Sequence, residues 1–134
     1  MVEQGQAARI VVVDDEAVAR VSLAEILRLE GYEVSTAASG EEALSLLNKS
    51  GPFDLMVLDL KMPGMDGLEV TSKLRKNLAF NHTPIIALTA YAMKGDREKA
   101  ISAGCDAYLS KPINTRQLPE VIAKMLLQRQ KDTT

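Results

Sequence analysis

Cysteine is almost absent from this 134-residue chain. Cys105 stands alone, which excludes an internal disulfide and makes a reducing compartment the simpler setting. It reads as a small packed residue. No apolar run approaches membrane-spanning length, and the opening "MVEQGQAA" lacks the charged-then-apolar layout of a signal peptide. The protein is therefore expected to be cytoplasmic, with no membrane partner. Neither sign of charge dominates: 16 Lys and Arg stand against 18 Asp and Glu, for a net charge of -2, which argues against a broad basic face and against nucleic acid as a partner. The single histidine, His82, has no ligand or triad partner nearby in sequence and reads as a loop residue. Glycine is missing from "VVDDEAVAR", residues 12–20, the turn after the first apolar run. That absence excludes the glycine-rich pyrophosphate cradle of dinucleotide-binding folds.

What is present is a regular beat of strand-like and helix-like segments, in a length that suits one domain with one sizeable core. "RIVVVDD" reads as a strand, and Ala19, Leu23, Ile26 and Leu27 give the helix after it one apolar face, ended by Gly31. "YEVSTA" is a second strand. Ser39 is placed to cap the next helix, with Glu42 completing a capping box before "EEALSLLNKS". "FDLMVLDL" is apolar at nearly every position and so belongs to a strand buried on both faces. The loop "KMPGMDG" leads to "LEVTSKLRK", a helix with a thin stripe of Leu68 and Leu74. "TPIIALTA" is the fourth strand, "KGDREKAISA" a polar helix stopped by Gly104, and "AYLS" a short fifth strand. Leu118, Val121, Ile122, Met125 and Leu126 stripe a last helix that begins near Leu118, because Pro119 is tolerated only in a first turn. The fold class is therefore α/β: a five-stranded parallel sheet with helices on both faces, in the flavodoxin-like order 2-1-3-4-5. The domain is expected over 8–128, with flexible termini at 1–7 and 129–134.

In such sheets, sites lie at the carboxyl ends of the strands. Those ends carry Asp14 and Asp15, then Asp59, Thr89 and Lys111. Neighbouring carboxylates repel, and a desolvated pair needs a cation or a proton. Three carboxylates suit a hard divalent ion such as magnesium. A hydroxyl and an ammonium beside them are idle for the metal but would hold a visiting phosphoryl group. Singly, each residue has a bland reading: Asp14 or Asp15 as a helix N-cap, Asp59 in a loop, Thr89 structural, Lys111 solvated. Their coincidence at successive strand ends overrides those readings together.

"VVVDDE", "MVLDLKMPGMDG", "ALTAYA" and "YLSKPI", in this order, resemble the receiver domain of two-component response regulators over about residues 8–128. The resemblance implies phosphoryl transfer from the phosphohistidine of a sensor histidine kinase or histidine phosphotransfer protein to Asp59, with Mg2+ as cofactor. It further implies Asp15 as a direct metal ligand, Asp14 as one mostly through water, and the Lys61 backbone carbonyl as another oxygen. Thr89 and Lys111 would hold phosphoryl oxygens, and Tyr108 would reorient with Thr89 on activation. A downstream protein target would read the fourth helix, fifth strand and fifth helix, and the protein would be a monomer or weak dimer. Such a chain is not an enzyme beyond catalysing its own phosphorylation and dephosphorylation. The Lys111–Pro112 bond is expected to be cis. "DREK" in the fourth helix reads as a solvated face.

Two other readings compete with this one. An aspartyl phosphatase of the haloacid-dehalogenase type would need a second Asp two residues after Asp59, where Lys61 stands. A degenerate receiver acting only as a binding module is disfavoured by the complete phosphoacceptor set. No effector-like segment follows the last helix, which suits a stand-alone regulator or a receiver excised from a hybrid kinase. Lys61 and Tyr91 are expected to flank the path of an attacking water, giving a long-lived phosphorylated form.

Overall fold

The computed structural model describes residues 7–90 and 94–132, with side chains described as far as Arg129. The termini at 1–6 and 133–134, and Tyr91 with the water path assigned to it, lie outside the described residues. Strands β1 (Arg9–Val13), β2 (Glu33–Ala37), β3 (Leu55–Asp59), β4 (Ile85–Thr89) and β5 (Ala107–Ser110) alternate with helices α1 (Ala17–Leu29), α2 (Gly40–Ser50), α3 (Gly67–Lys76), α4 (Asp96–Ala103) and α5 (Gln117–Asp132). All strand pairs are parallel, in the order β2-β1-β3-β4-β5.

Alternation along the strands divides the core into two layers, because successive side chains point to opposite faces. Val11, Val13, Met56 and Leu58 pack under α2, α3 and α4 with Leu47, Val70, Leu74 and Ala100. Ile10, Val12, Leu55 and Val57 pack on the other face with Leu23 and Leu27 of α1 and Leu118 and Ile122 of α5. β3 and β4 are buried at every position, which is why their sequences are continuously apolar up to Asp59 and Thr89. No helix among the described residues is long and apolar enough to cross a membrane.

The caps explain where several helices start and stop. The Ser39 side chain accepts from the Glu42 amide at 3.1 Å while Glu42 Oε1 accepts from the Ala38 amide, so the box reaches back one residue further than the simplest form. Gly31 and Gly104 adopt positive φ just past α1 and α4. α3 begins one residue before the sequence reading: Asp66 Oδ1 accepts from the Glu69 amide at 2.9 Å, and the buried face is Gly67, Val70, Thr71 and Leu74, with Leu68 only half-buried. Thr71 is tolerated there because its hydroxyl donates to the Gly67 carbonyl at 2.9 Å. Asp96 departs from the solvated "DREK" reading and is buried, whereas Arg97, Glu98 and Lys99 are exposed. α5 continues past residue 128, where the sequence reading ended the domain. Arg129 Nη1 donates to the carbonyl of Asp54 at 2.8 Å and pairs with its carboxylate at 3.2 Å, tying the last turns to the entry of β3.

Candidate phosphoacceptor site

Every strand-end residue singled out from the sequence lies on the carboxyl edge of the sheet. β1 and β3 are neighbours, so Asp14, one residue past β1, sits beside Asp59 at the end of β3. Asp14 and Asp59 are buried and Asp15 is exposed. One oxygen from each of Asp14, Asp15 and Asp59 lies within 4.8 Å of the others. Thr89, fully buried, ends β4 one position beyond Leu88, which pairs with Asp59. Lys111 follows β5 and donates its amide to the Thr89 carbonyl at 2.7 Å. The Lys111–Pro112 bond is cis.

Lys111 is the counter-ion of this cluster. Its Nζ lies 2.8 Å from Asp14 Oδ2 and 3.6 Å from Asp59 Oδ2. Burial alone lowers the pKa of an ammonium, but the Asp14 hydrogen bond and the charges of Asp59, Asp14 and Glu16 outweigh it, so that of Lys111 is raised. Asp59 is not fully compensated. Burial raises its pKa, Lys111 lowers it, Asp14 raises it, the Lys61 amide lowers it and Asp15 raises it, and the result is about 6. That amide reaches Asp59 Oδ1 at 3.3 Å, a long bond, and the Lys61 side chain is exposed.

The site has an excess of negative charge that one ammonium leaves unrelieved, and its donors are hard carboxylate oxygens converging on one point. Those features fit magnesium.

Two contributors to the site, Arg20 and Gly67, and a residue that ties the fold at the opposite edge of the sheet, Arg75, lay beyond the sequence reading. Arg20 Nη1 donates to the Asp14 backbone carbonyl at 2.8 Å. Gly67 packs so closely on the end of β3 that a Cβ there would sit 2.6 Å from the Asp59 carbonyl oxygen and 2.8 Å from Leu60 Cα. Arg75 donates to the carbonyls of Gly104, Asn81 and Thr83 and to Asp106 Oδ2, joining the C-terminal ends of α3 and α4. None of the three carried a decisive signal in sequence; Gly67 lies in the loop "KMPGMDG", where a glycine reads just as readily as a turn residue. Tyr108, the expected switch, packs half-buried against the layer under α2 to α4. Its hydroxyl oxygen is buried and has no hydrogen-bond partner among the described residues. Cys105 is buried with its Sγ 3.5 Å from the Thr71 hydroxyl, and His82 is exposed in the loop before β4, both as read from the sequence.

The sequence profile of the response regulator receiver domain matches residues 10–123. The chain is 38% identical over 117 residues to the polar-differentiation response regulator DivK of Brucella ovis, covering 87% of this chain and 94% of that one. It superposes on a response regulator receiver domain protein from Methanospirillum hungatei with a TM-score of 0.87 at 35% identity, over 95% of this chain and 99% of the other. The receiver domain of a sensor histidine kinase from Pseudomonas aeruginosa, solved with a magnesium ion coordinated in its active site cleft, matches with a TM-score of 0.82 at 31% identity, over 90% and 98% of the two chains. With three carboxylates, a buried threonine and a lysine at the strand ends of this fold, the chain belongs to the response regulator receiver family, the signalling modules of two-component systems.

Proposed function

We propose that Asp59 is the phosphoacceptor and that this chain catalyses its own phosphorylation from a phosphohistidine donor. The observation that carries the reading is the state of Asp59: buried, loosely bonded at 3.3 Å and 3.6 Å, and less compensated than Asp14 beside it. A nucleophilic oxygen has to be free of strong hydrogen bonds and close to cations that steady the incoming charge. Asp59 Oδ attacks phosphorus in line, the new O–P bond forms as the donor's P–N bond breaks, and the departing imidazole takes up a proton. Asp14, Asp15, Asp59 and the Lys61 carbonyl would hold magnesium, which when bound neutralises charge on the carboxylates and phosphoryl oxygens.

Lys111 is then free to leave Asp59 for a phosphoryl oxygen, and the Thr89 hydroxyl donates to another. Each charge-assisted bond contributes roughly 1.5–3 kcal/mol, comparable to the gap between two populated conformers. Tyr108 supports a two-state reading. Its buried hydroxyl has no hydrogen-bond partner among the described residues, which costs about 1–3 kcal/mol, so the placement of the ring would be readily shifted by changes at Thr89. The donor would be a sensor histidine kinase or histidine phosphotransfer protein. An apolar groove of about 630 Å3, lined by Ala19, Leu23, Ile26, Pro112 and Ile113, opens beside Lys111 and offers that donor a seat.

The test is incubation with a small phosphoramidate donor and magnesium, followed by intact-mass measurement. One acid-labile phosphoryl group is expected on the wild type and none on Asp59→Asn or without metal. Undiminished labelling of Asp59→Asn overturns the assignment.

A further inference from the structure

The three carboxylates of the site are not held alike, and the difference identifies a residue that no strand-end pattern contains. All four polar atoms of Asp14 are engaged. Its amide donates to the Ala37 carbonyl at 3.1 Å, carrying the β1–β2 ladder one residue past the strand. Its Oδ1 accepts from the Glu16 amide at 2.9 Å, its Oδ2 accepts from Lys111 at 2.8 Å, and its carbonyl accepts from Arg20 Nη1 at 2.8 Å. Among the described residues the Asp59 carboxylate has only the long Lys61 contact and the 3.6 Å ion pair, and Asp15 is exposed.

The carbonyl bond is the one that crosses from α1 back to the strand end. It is made by a planar guanidinium on the first turns of a helix whose N-cap, Glu16, makes no side-chain cap bond. The Asp14–Asp15 turn therefore takes its orientation from both sides: the sheet through the Asp14 amide, and α1 through Arg20. We infer that Arg20 is a positioning residue for the cation site, fixing the turn so that the Asp14 and Asp15 carboxylates stand ready before the ion arrives. This rests on the phosphoacceptor reading above.

Charge alone predicts the opposite behaviour. Removing a cation beside a divalent-ion site lowers repulsion and should tighten magnesium binding. Removing a group that orients metal ligands weakens it, typically by about 10-fold or more. The sign of the effect decides between the two.

The experiment is isothermal titration of magnesium into the metal-free full chain, for the wild type, Arg20→Ala and Arg20→Lys, with the same three proteins followed by amide hydrogen exchange in EDTA. Arg20→Ala is expected to bind magnesium about 10-fold more weakly. It should also exchange the Glu16 amide faster without metal, since that amide reports the Asp14 carboxylate. Arg20→Lys, which keeps one charged donor for the carbonyl, should recover most of the affinity. Unchanged or tighter binding in Arg20→Ala overturns the inference, as does an unaltered Glu16 exchange rate. Failure of the wild type itself to bind magnesium would instead overturn the phosphoacceptor reading, so the two failures are distinguishable.

Discussion

Replacing Asp59 by asparagine should make the metal-free protein more stable at neutral pH. In the folded chain the Asp59 carboxyl titrates near 6, against 3.8 for the ordinary group, with burial as the largest cause. The folded state therefore binds a proton between those values that the unfolded state has already released. Stability falls as pH rises through that window, and the full penalty is present above the folded value. A gap of about 2 pH units, at 1.36 kcal/mol each, is about 3 kcal/mol. With 4% of the residue exposed, little of this is lost to solvent screening. Asparagine has the shape of the protonated acid and keeps an acceptor for the Lys61 amide, while Lys111 retains its 2.8 Å bond to Asp14. Urea unfolding in EDTA, run for both proteins from pH 7.5 down to pH 4, measures the difference. The variant should be more stable by about 3 kcal/mol at pH 7.5, with the margin shrinking below pH 6. Magnesium should narrow the gap at pH 7.5 by binding the native wild type. An asparagine variant no more stable than wild type at pH 7.5 without metal would refute the claim that Asp59 is under-compensated.

Gly67→Ala should destabilise the fold by about 1–3 kcal/mol in the same assay, because the new methyl meets Asp59 and Leu60 backbone that has little room to yield. It should also slow phosphoramidate labelling, since relief of the clash displaces the end of β3. Arg75→Ala should cost about 3 kcal/mol by leaving the carbonyls of Gly104, Asn81 and Thr83 without their donor. Arg75→Lys should recover little of that, because a single ammonium cannot span the same acceptors; full recovery, read from the urea midpoint, would contradict the role of the planar fork.

Much of this site was legible because burial and function conflict in one dimension. An apolar strand that ends in a carboxylate, as β1 does before Asp14 and Asp15 and β3 does at Asp59, breaks its own hydrophobic pattern, and the parallel topology puts all such breaks on one edge. What was hidden depends on backbone partners supplied by distant segments. Arg20 and Arg75 look like ordinary helix-surface cations until the carbonyls they bind are located. Thr71 has no place in the stripe of Leu68 and Leu74, yet it is buried, with its hydroxyl satisfied within its own helix. The close approach at Gly67 is a property of how α3 meets β3, and in sequence a loop glycine is just as readily a turn residue. α5 outran its expected end for the same reason: "RQKDTT" reads as a polar tail, and only the fold places Asp54 within reach of Arg129.

The unequal treatment of chemically identical residues suits the different work the proposed function asks of each. A group that orients a cation is most useful when rigid, and rigidity comes from engaging every donor and acceptor, as Asp14 does with Ala37, Glu16, Lys111 and Arg20. A nucleophile needs an oxygen with an uncommitted lone pair and a carboxylate whose charge still seeks a partner, and the proposed nucleophile Asp59 is in that condition. The same under-compensation that lowers the stability of the metal-free fold raises the attraction of Asp59 for a cation and for an electrophilic phosphorus. Lys111 bridges the two proposed roles, 2.8 Å from Asp14 and 3.6 Å from Asp59. In the proposed reaction, a phosphoryl group on Asp59 would break the loose contact first, so the ammonium would follow the new charge while its anchor on Asp14 stays in place.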